Sequence, residues 1–435
     1  MTDRLNLTVT IDRALAWAEG DSVRYVVATL AGTPSVDAAR VPAPAINLAL
    51  VIDASGSMGG DKLENAKAAA LGVAERLGPA DELSVVSFAD DVVVHVEAQT
   101  PAGEAMTGIR AAIGALRTRG STNLSEGWLI GAECVARAAR DGGVNRVILL
   151  SDGAANAGIV DPAELAVHAA ELARRGVTTS CVGIGDGYET PVLRAIAESG
   201  GGRLHDAEVG SEIVDALMGE LGEIVDLVAQ DVSITLHAPA TAKAEFVGSA
   251  PTQVGAGSLS VSAGALLAGR PRTCVFRLTL PAGRVGDTLL FGVSARGAAP
   301  GGALLDVRPA EASIDFVEGA RNTKQPRNET ASMAVADAWH SEIVRRAAQL
   351  NRKGERRQAR RFVERELQFF ERYCSGLPQA APLVREIIVL KQNVDREWDE
   401  RTRKEMEVSS YMKESNRADY RPARANWSTR LNDGK

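Results

Sequence analysis

The chain is poor in the residue types that build zinc sites, disulfide frameworks and hydrolytic centres. Its 435 residues include four cysteines and five histidines, and none of them forms the spaced pairs typical of zinc sites or disulfide frameworks. No histidine lies near a Gly-x-Ser-x-Gly elbow, so Ser-His-Asp hydrolysis has no support in the sequence. A Gly-x-x-x-x-Gly-Lys-Ser/Thr loop is also missing, which excludes a P-loop ATPase in this stretch of chain.

Long apolar runs and an excess of positive charge are missing too. No segment reaches the ~20 apolar residues of a bilayer-spanning helix, and the first residues show no apolar run before a cleavage site. The formal net charge of −7 argues against a general binder of nucleic acids or anionic membranes. Cysteines that stand singly indicate reduced thiols. We therefore expect a cytoplasmic protein that binds neither nucleic acid nor membrane.

Two short apolar runs are present, and each is followed by a carboxylate. The segment 45–52 leads to Asp53, and the segment 147–150 leads to Ser151 and Asp152. Short and almost wholly apolar runs are typical of strands that are buried on both faces of a parallel sheet. Because open α/β sheets place their ligand loops at the carboxyl ends of strands, we expect both carboxylates at one edge of the sheet.

Five oxygen-bearing side chains can be brought together at that edge, and they are Asp53, Ser55, Ser57, Thr122 and Asp152. Thr122 belongs to a Gly-Ser-Thr-Asn loop just before a predicted helix. Carboxylate and hydroxyl oxygens suit Mg²⁺, Mn²⁺ or Ca²⁺ far better than zinc or copper. The compact and mostly hydroxyl set favours Mg²⁺ over Ca²⁺.

The pattern Asp-x-Ser-x-Ser, a later Thr, and Asp in Ser-Asp-Gly resembles the metal-ion-dependent adhesion site (MIDAS) of von Willebrand factor A (VWA) domains. The resemblance covers residues 43–225 and includes all five ligand positions. It implies that Ser55, Ser57 and Thr122 contact the metal, while Asp53 and Asp152 lie close by and act at least partly through water. It also implies that a partner protein supplies an Asp or Glu to the metal, with no catalytic residue and no organic cofactor.

The pattern of apolar and polar residues is different on either side of this segment. Alternating apolar and polar residues with Gly and Pro turns indicate short antiparallel strands both before and after it. An isolated hairpin at the start would be marginal, so we expect the two flanks to share one sandwich. The predicted fold class is α/β, with a Rossmann-like VWA domain (43–225) inserted in an antiparallel β-sandwich (1–42 and 226–318) and followed by an α-helical region (329–415) and a polar tail (416–435).

The helical region is predicted to contain three helices. The first runs to about residue 350, Gly354 breaks it, and the second runs to about residue 373. The third is expected over residues 378–413. The polar tail is expected to be extended or disordered, and its Trp427 either anchors a partner or docks onto the chain's own helices.

Three functions are compatible with these features. The leading interpretation is a non-enzymatic protein-binding module that captures an acidic residue of its partner through Mg²⁺. The alternative is an adaptor subunit of an ATP-driven machine, such as a MoxR-like or chelatase-like AAA+ ATPase, which would use the same metal site. A Mg²⁺-dependent hydrolase is the weakest interpretation, because no general base lies at a definable spacing from the carboxylates.

Overall fold

The computed structural model describes residues 5–33, 44–140, 143–153, 155–185, 187–207, 212–214, 216–217, 219–220, 227–299, 302–414 and 427–432. The chain divides into two compact units. One unit comprises Met1–Thr33, Val232–Arg296 and Asp306–Lys435, and the other comprises Pro34–Asp231 and Gly297–Leu305. We call them the sandwich unit and the inserted unit.

Sixteen strands are present within the described residues. They are β1 (Leu5–Ile11), β2 (Leu15–Trp17), β3 (Ser22–Gly32), β4 (Ile46–Asp53), β5 (Glu82–Phe88), β6 (Val92–Gln99), β7 (Val144–Ser151), β8 (Val177–Ile184), β9 (Gly201–Ala207), β10 (Leu227–His237), β11 (Lys243–Val247), β12 (Thr252–Gly255), β13 (Ser258–Leu267), β14 (Arg272–Leu280), β15 (Thr288–Ala298) and β16 (Leu304–Val317).

The helices of the described residues are α1 (Asp61–Ala74), α2 (Gly103–Gly114), α3 (Leu124–Arg137), α4 (Pro162–Arg174), α5 (Thr190–Ser199), α6 (helical residues 212–214, 216–217 and 219–220), α7 (Gly319–Lys324), α8 (Glu329–Arg352), α9 (Arg356–Cys374), α10 (Ala381–Asn393), α11 (Glu400–Glu414) and α12 (Trp427–Asn432). None of them combines the length and the apolar character that crossing a bilayer requires.

The inserted unit is built on one six-stranded sheet with the order β6-β5-β4-β7-β8-β9. Strand β4 is central and runs parallel to β5 and β7, while β6 is antiparallel to β5 at the edge. Both faces of β4 are covered, since Leu48, Leu50 and Ile52 share a core with α1 and α2, and Val51 meets Gly131 of α3. This double coverage explains why the strand sequence is continuously apolar.

The strands of the sandwich unit form two further sheets. The first has four strands in the order β1-β3-β14-β11, and the second has six in the order β12-β13-β10-β15-β16-β2. The first sheet is antiparallel, with β3 pairing β1 on one side and β14 on the other. Strand β2 lies between β1 and β3 in the chain but belongs to the second sheet, where it pairs in parallel with β16.

The helices after the sandwich pack on the first sheet and on each other. One hydrophobic core joins Tyr25 and Val275 of that sheet to Trp339 of α8 and Phe370 of α9. The indole of Trp339 lies 6.0 Å from the ring of Tyr25 and 5.6 Å from that of Phe370. The helices therefore belong to the same packed unit as the sheet. The predicted fold class, α/β with antiparallel sheets and a helical C-terminal region, is confirmed.

Two expectations about the helices differ from the structure. The single helix expected over 378–413 is wrong, because residues 394–399 separate α10 from α11. Trp398 is buried in this break and its indole N–H donates to the carbonyl of Asn393 at 2.9 Å. Asp399 then accepts the N–H of Thr402 at 2.7 Å and starts a new helix.

The second difference lies in the tail, where an extended or disordered segment was expected. Residues Trp427–Asn432 form the short helix α12, and Trp427 and Leu431 are buried in the core of the sandwich unit. Of the two roles considered for Trp427, a partner anchor or a contact with the chain's own helices, the structure shows the second. Residues 416–426 and 433–435 lie outside the described part of the chain.

Candidate metal centre

Asp53 is the last residue of the central strand β4, and its carboxylate organises the loop that follows. Its Oδ1 accepts the backbone N–H of Ser55 at 2.8 Å, and its Oδ2 accepts the hydroxyl of Ser151 at 2.7 Å. The loop enters α1 through Gly60, whose φ of +77° is readily adopted only by glycine. Asp53 therefore holds two strand ends together and has both oxygens engaged by the protein itself.

Ser55, Ser57 and Asp152 form a continuous row of hydrogen bonds. The two serine hydroxyl oxygens are 3.1 Å apart, and Ser57 donates to Asp152 Oδ1 at 2.6 Å. Ser55 and Asp152 are only 2% and 1% exposed, whereas Ser57 is exposed. The row of oxygens is therefore accessible from solvent on the side of Ser57.

Thr122 reaches the same place from the loop between α2 and α3. Its N–H donates to Asn156 Oδ1 at 3.0 Å, and its carbonyl accepts the N–H of Asn156 at 3.2 Å. A Cβ placed on Gly153 would stand 3.5 Å from Ser57 Oγ and 3.6 Å from Thr122 Oγ1. The hydroxyls of Ser57 and Thr122 therefore border one small space that the absence of a side chain at Gly153 keeps open.

Electrostatics at this edge favour a cation. Burial raises the pKa of Asp53, the hydrogen bonds from Ser55 and Ser151 oppose that rise, and the negative charge of Asp152 adds to it. A neighbouring positive charge would stabilise the ionised form of Asp53. The structure brings together all five side chains that the sequence singled out.

The donor set suits a hard divalent cation. It offers three neutral hydroxyls, of which only that of Ser57 belongs to an exposed residue. The carboxylates beside them are held by hydrogen bonds, which orients the ligands without neutralising the metal. Within the described residues, no group of three or more His, Cys, Asp or Glu side chains could hold a metal ion, so a cation at this site would depend on the hydroxyls.

Residues 47–215 match the family model of the von Willebrand factor type A domain. The chain carries a VWA domain. The matched segment begins within β4 and spans the loops of Ser55, Thr122 and Asp152.

Relatives share this domain. The protein YfbK of Escherichia coli strain K12 is 30% identical over 244 residues, which are 54% of this chain and 42% of that protein. The protein sll0103 of Synechocystis is 37% identical over 168 residues, which are 38% of this chain and 39% of that protein. The chain thus spans only about two fifths of the length of these relatives.

A solved structure shares the fold over nearly the whole chain. The von Willebrand factor type A protein of Catenulispora acidiphila aligns with a TM-score of 0.67 at 17% identity, covering 93% of this chain and 96% of that one. The fold of the VWA domain with its antiparallel sheets and C-terminal helices is therefore shared by the two proteins.

Several residues around the VWA site were not anticipated from the sequence. Ser151 bridges β7 to Asp53, Asn156 holds the backbone of Thr122, and Lys62 donates from its Nζ to Asp152 Oδ2 at 2.5 Å. The lysine follows the ligand loop as the second residue of α1. Only its place close after Asp-x-Ser-x-Ser could have drawn attention to it.

An open groove of about 460 Å³ runs beside the Thr122 loop of the VWA domain. Leu129 and Ile130 of α3 line one side and Ile159 lines the other, with Glu126 and Glu133 also in the lining. Asn123 also lines the groove; it directly follows Thr122 in the chain and caps α3. An apolar groove with acidic side chains therefore lies next to the candidate metal centre.

Proposed function

We propose that this chain is a non-enzymatic protein-binding module that holds a divalent cation, Mg²⁺ in the first place, on Ser55, Ser57 and Thr122. Asp53 and Asp152 lie close by, and one or both of them act on the cation through water. Bound there, the cation would supply an open coordination position for an Asp or Glu of a partner protein. The observation that supports the proposal is the meeting of three chain segments around one set of hydroxyl oxygens, which solvent reaches on the side of the exposed Ser57.

The protein's own residues perform the remaining tasks. The hydrogen bonds of Asp53 to Ser55 and Ser151 fix the ligand loop to two neighbouring strands. Asn156 fixes the loop of Thr122. These preformed bonds keep the hydroxyls in place before a partner arrives, which lowers the ordering cost of binding.

The groove beside Thr122 determines what can lie next to the partner's acidic residue. Its apolar walls accept an aliphatic or aromatic side chain, while the exposed Glu126 favours a basic one. We propose that the partner protein presents an acidic residue with apolar and basic neighbours. We also propose that this chain binds neither nucleic acid nor membrane.

Isothermal titration with Mg²⁺ tests the ligand assignment. Thr122→Ala and Ser57→Ala are expected to weaken binding at least about tenfold, which corresponds to 1.4 kcal/mol. Ser121→Ala is the matched control, since it removes an exposed hydroxyl one residue away. Equal Mg²⁺ affinity in Thr122→Ala, Ser57→Ala and wild type would contradict the assignment.

Affinity capture from a lysate of the source organism then tests the function. A partner should be retained by wild type and by Ser121→Ala in Mg²⁺, and lost in EDTA or with Thr122→Ala. Retention in every arm would refute metal-bridged recognition. An ATPase among the metal-dependent partners would favour the alternative proposal, an adaptor subunit of a MoxR-like or chelatase-like AAA+ machine.

Cytoplasmic location belongs to the same proposal. The four cysteines, Cys134, Cys181, Cys274 and Cys374, are buried free thiols, a state that a reducing compartment maintains. Recovery of the native protein from an extracytoplasmic fraction would contradict this location.

A further inference from the structure

Lys62 places a positive charge directly on one of the five site residues. Its Nζ donates to Asp152 Oδ2 at 2.5 Å and lies 3.4 Å from the carbonyl oxygen of Ser57. The other oxygen of Asp152 accepts the hydroxyl of Ser57 at 2.6 Å. Both oxygens of this carboxylate are therefore engaged, one by a neutral hydroxyl and one by an ammonium group.

The two partners of this ion pair differ in their access to solvent. The side chain of Asp152 has no exposed area, whereas that of Lys62 is 38% exposed. Close to the aliphatic stem of Lys62 lies Gly185, where a Cβ would stand only 3.6 Å from Cε. The lysine can thus leave the carboxylate toward solvent, while the carboxylate cannot follow it.

The position of Lys62 in its helix is electrostatically unfavourable. It is the second residue of α1, within the first turn, where the partial positive charge of the helix dipole disfavours cations. The neighbouring Asp61 and Glu64 are the residue types expected there. The pairing with buried Asp152 is what offsets this cost, because an unpaired buried carboxylate would be more costly still.

We propose that Lys62 is an internal counter-cation that competes with the divalent ion for Asp152. This inference rests on the metal site of the proposed function. Without metal, the ammonium neutralises the buried carboxylate and keeps the loops in place. Metal binding would displace the ammonium toward solvent, so the metal affinity is the difference between the interactions of the two cations with the same carboxylate. Lys62 therefore weakens metal binding and favours release of the bound ion.

Isothermal titration with Mg²⁺ tests the competition. Lys62→Met removes the charge while keeping an unbranched side chain of similar length, and it is expected to bind Mg²⁺ roughly tenfold tighter or more. Lys62→Arg keeps the charge and is expected to stay close to wild type. Lys67→Met is the matched control, because it removes a lysine of the same helix whose partner is the exposed Glu64.

Thermal unfolding in EDTA provides a readout that needs no metal. Lys62→Met should lower the melting temperature, since Asp152 then remains buried without its cation. Adding Asp152→Asn to Lys62→Met should recover most of the loss, because both charges are then gone. An additive or larger loss in the double variant would overturn the role of Lys62 as the counter-ion of Asp152.

The outcomes separate this inference from the proposed function. If wild type binds Mg²⁺ through Thr122 and Lys62→Met binds it no tighter, competition is refuted while the metal site stands. If only Lys62→Met binds Mg²⁺, competition is supported and the metal dependence of the wild type is refuted. If neither protein binds the ion, both proposals fail.

Discussion

Gly153 keeps open the space between two candidate ligand hydroxyls. A Cβ at this position would lie in ordinary van der Waals contact with Ser57 Oγ and Thr122 Oγ1, at 3.5 and 3.6 Å. We expect Gly153→Ala to fold normally but to bind Mg²⁺ about tenfold or more weakly, because an octahedral ion and its waters need that space. Isothermal titration measures the affinity and thermal unfolding in EDTA measures the stability.

A matched control for this substitution is available in the same site. Gly56→Ala adds a Cβ whose nearest neighbour is the carbonyl oxygen of Gly120 at 3.8 Å, away from the hydroxyls. It should leave Mg²⁺ affinity within about twofold of wild type. Similar losses in both variants would mean that loop rigidity rather than space controls the affinity.

The candidate ligands could be predicted from the sequence because each follows a recognisable element. Asp53 and Asp152 come directly after buried strands, and parallel strands bring their carboxyl ends to one edge. Lys62 could not be predicted in the same way, because its contact depends on how the loop through Gly60 directs α1. Asn156 depends on the path of an irregular loop, for which sequence patterns give no periodic signal.

At the scale of elements, helix α6 is anchored to the sheet of the VWA domain by one buried carboxylate. Glu220 accepts hydrogen bonds from Arg146 of β7 and Ser180 of β8, both at 2.7 Å, and its Oε1 lies 2.7 Å from His205 Nε2 of β9. Burial acts to raise the pKa of Glu220, but Arg146, His205 and Arg203 outweigh it and hold the pKa well below its usual value.

We expect Glu220→Gln to lower the free energy of unfolding at pH 7 by about 3–5 kcal/mol, since it leaves Arg146 buried without its charge partner. A depressed carboxyl pKa contributes stability that is complete above the unfolded value and is lost as pH falls toward the folded value. The difference between wild type and Glu220→Gln should therefore persist from pH 7 to about 5 and shrink below the usual carboxyl pKa of ~4.3. Denaturant titrations at several pH values measure it.

Glu133→Gln is the control for this experiment, because Glu133 pairs with Arg137 on the surface, where both side chains are more than half exposed. Its effect at pH 7 should stay below about 1 kcal/mol. Comparable losses in the two variants would show that burial of Glu220 does not determine its contribution.

The groove along α3 yields a separate expectation. Leu129→Lys places a long charged side chain in the apolar wall, so metal-dependent partner capture should fall while Mg²⁺ affinity stays unchanged. Val167→Lys is the control, since Val167 is a 69% exposed apolar residue on α4. Unchanged capture with Leu129→Lys would exclude the groove from the partner interface.

Elements with strong periodicity were predictable, and their interruptions were less so. Asp161 followed by Pro162 is a typical start of a helix, and in α4 Asp161 accepts the N–H groups of Ala163 and Glu164. The break between α10 and α11 was missed because neither Gly nor Pro marks it. The buried Trp398 and the cap at Asp399 end one helix and start the next through tertiary contacts that a local pattern does not reveal.

At the scale of the whole molecule, the two compact units have separate hydrophobic cores. One core combines the first sandwich sheet with α8, α9 and α10, and the other lies within the VWA domain. The domain boundaries expected from the sequence, with residues 43–225 inserted between 1–42 and 226–318, remain a prediction. Unfolding experiments that distinguish the two cores would test it.

Two thermal transitions are expected, each responding to a different change. Mg²⁺ at 100 times its dissociation constant adds about 2.7 kcal/mol to the unit that binds it, which raises one midpoint by roughly 5–10 °C. Trp339→Ala removes a core side chain that contacts Tyr25, Phe370 and Tyr373, and should lower the other midpoint through a loss of about 3–5 kcal/mol. Differential scanning calorimetry measures both. One transition that both changes shift together would mean that the two cores unfold as a single cooperative unit, and it would contradict an independent inserted domain.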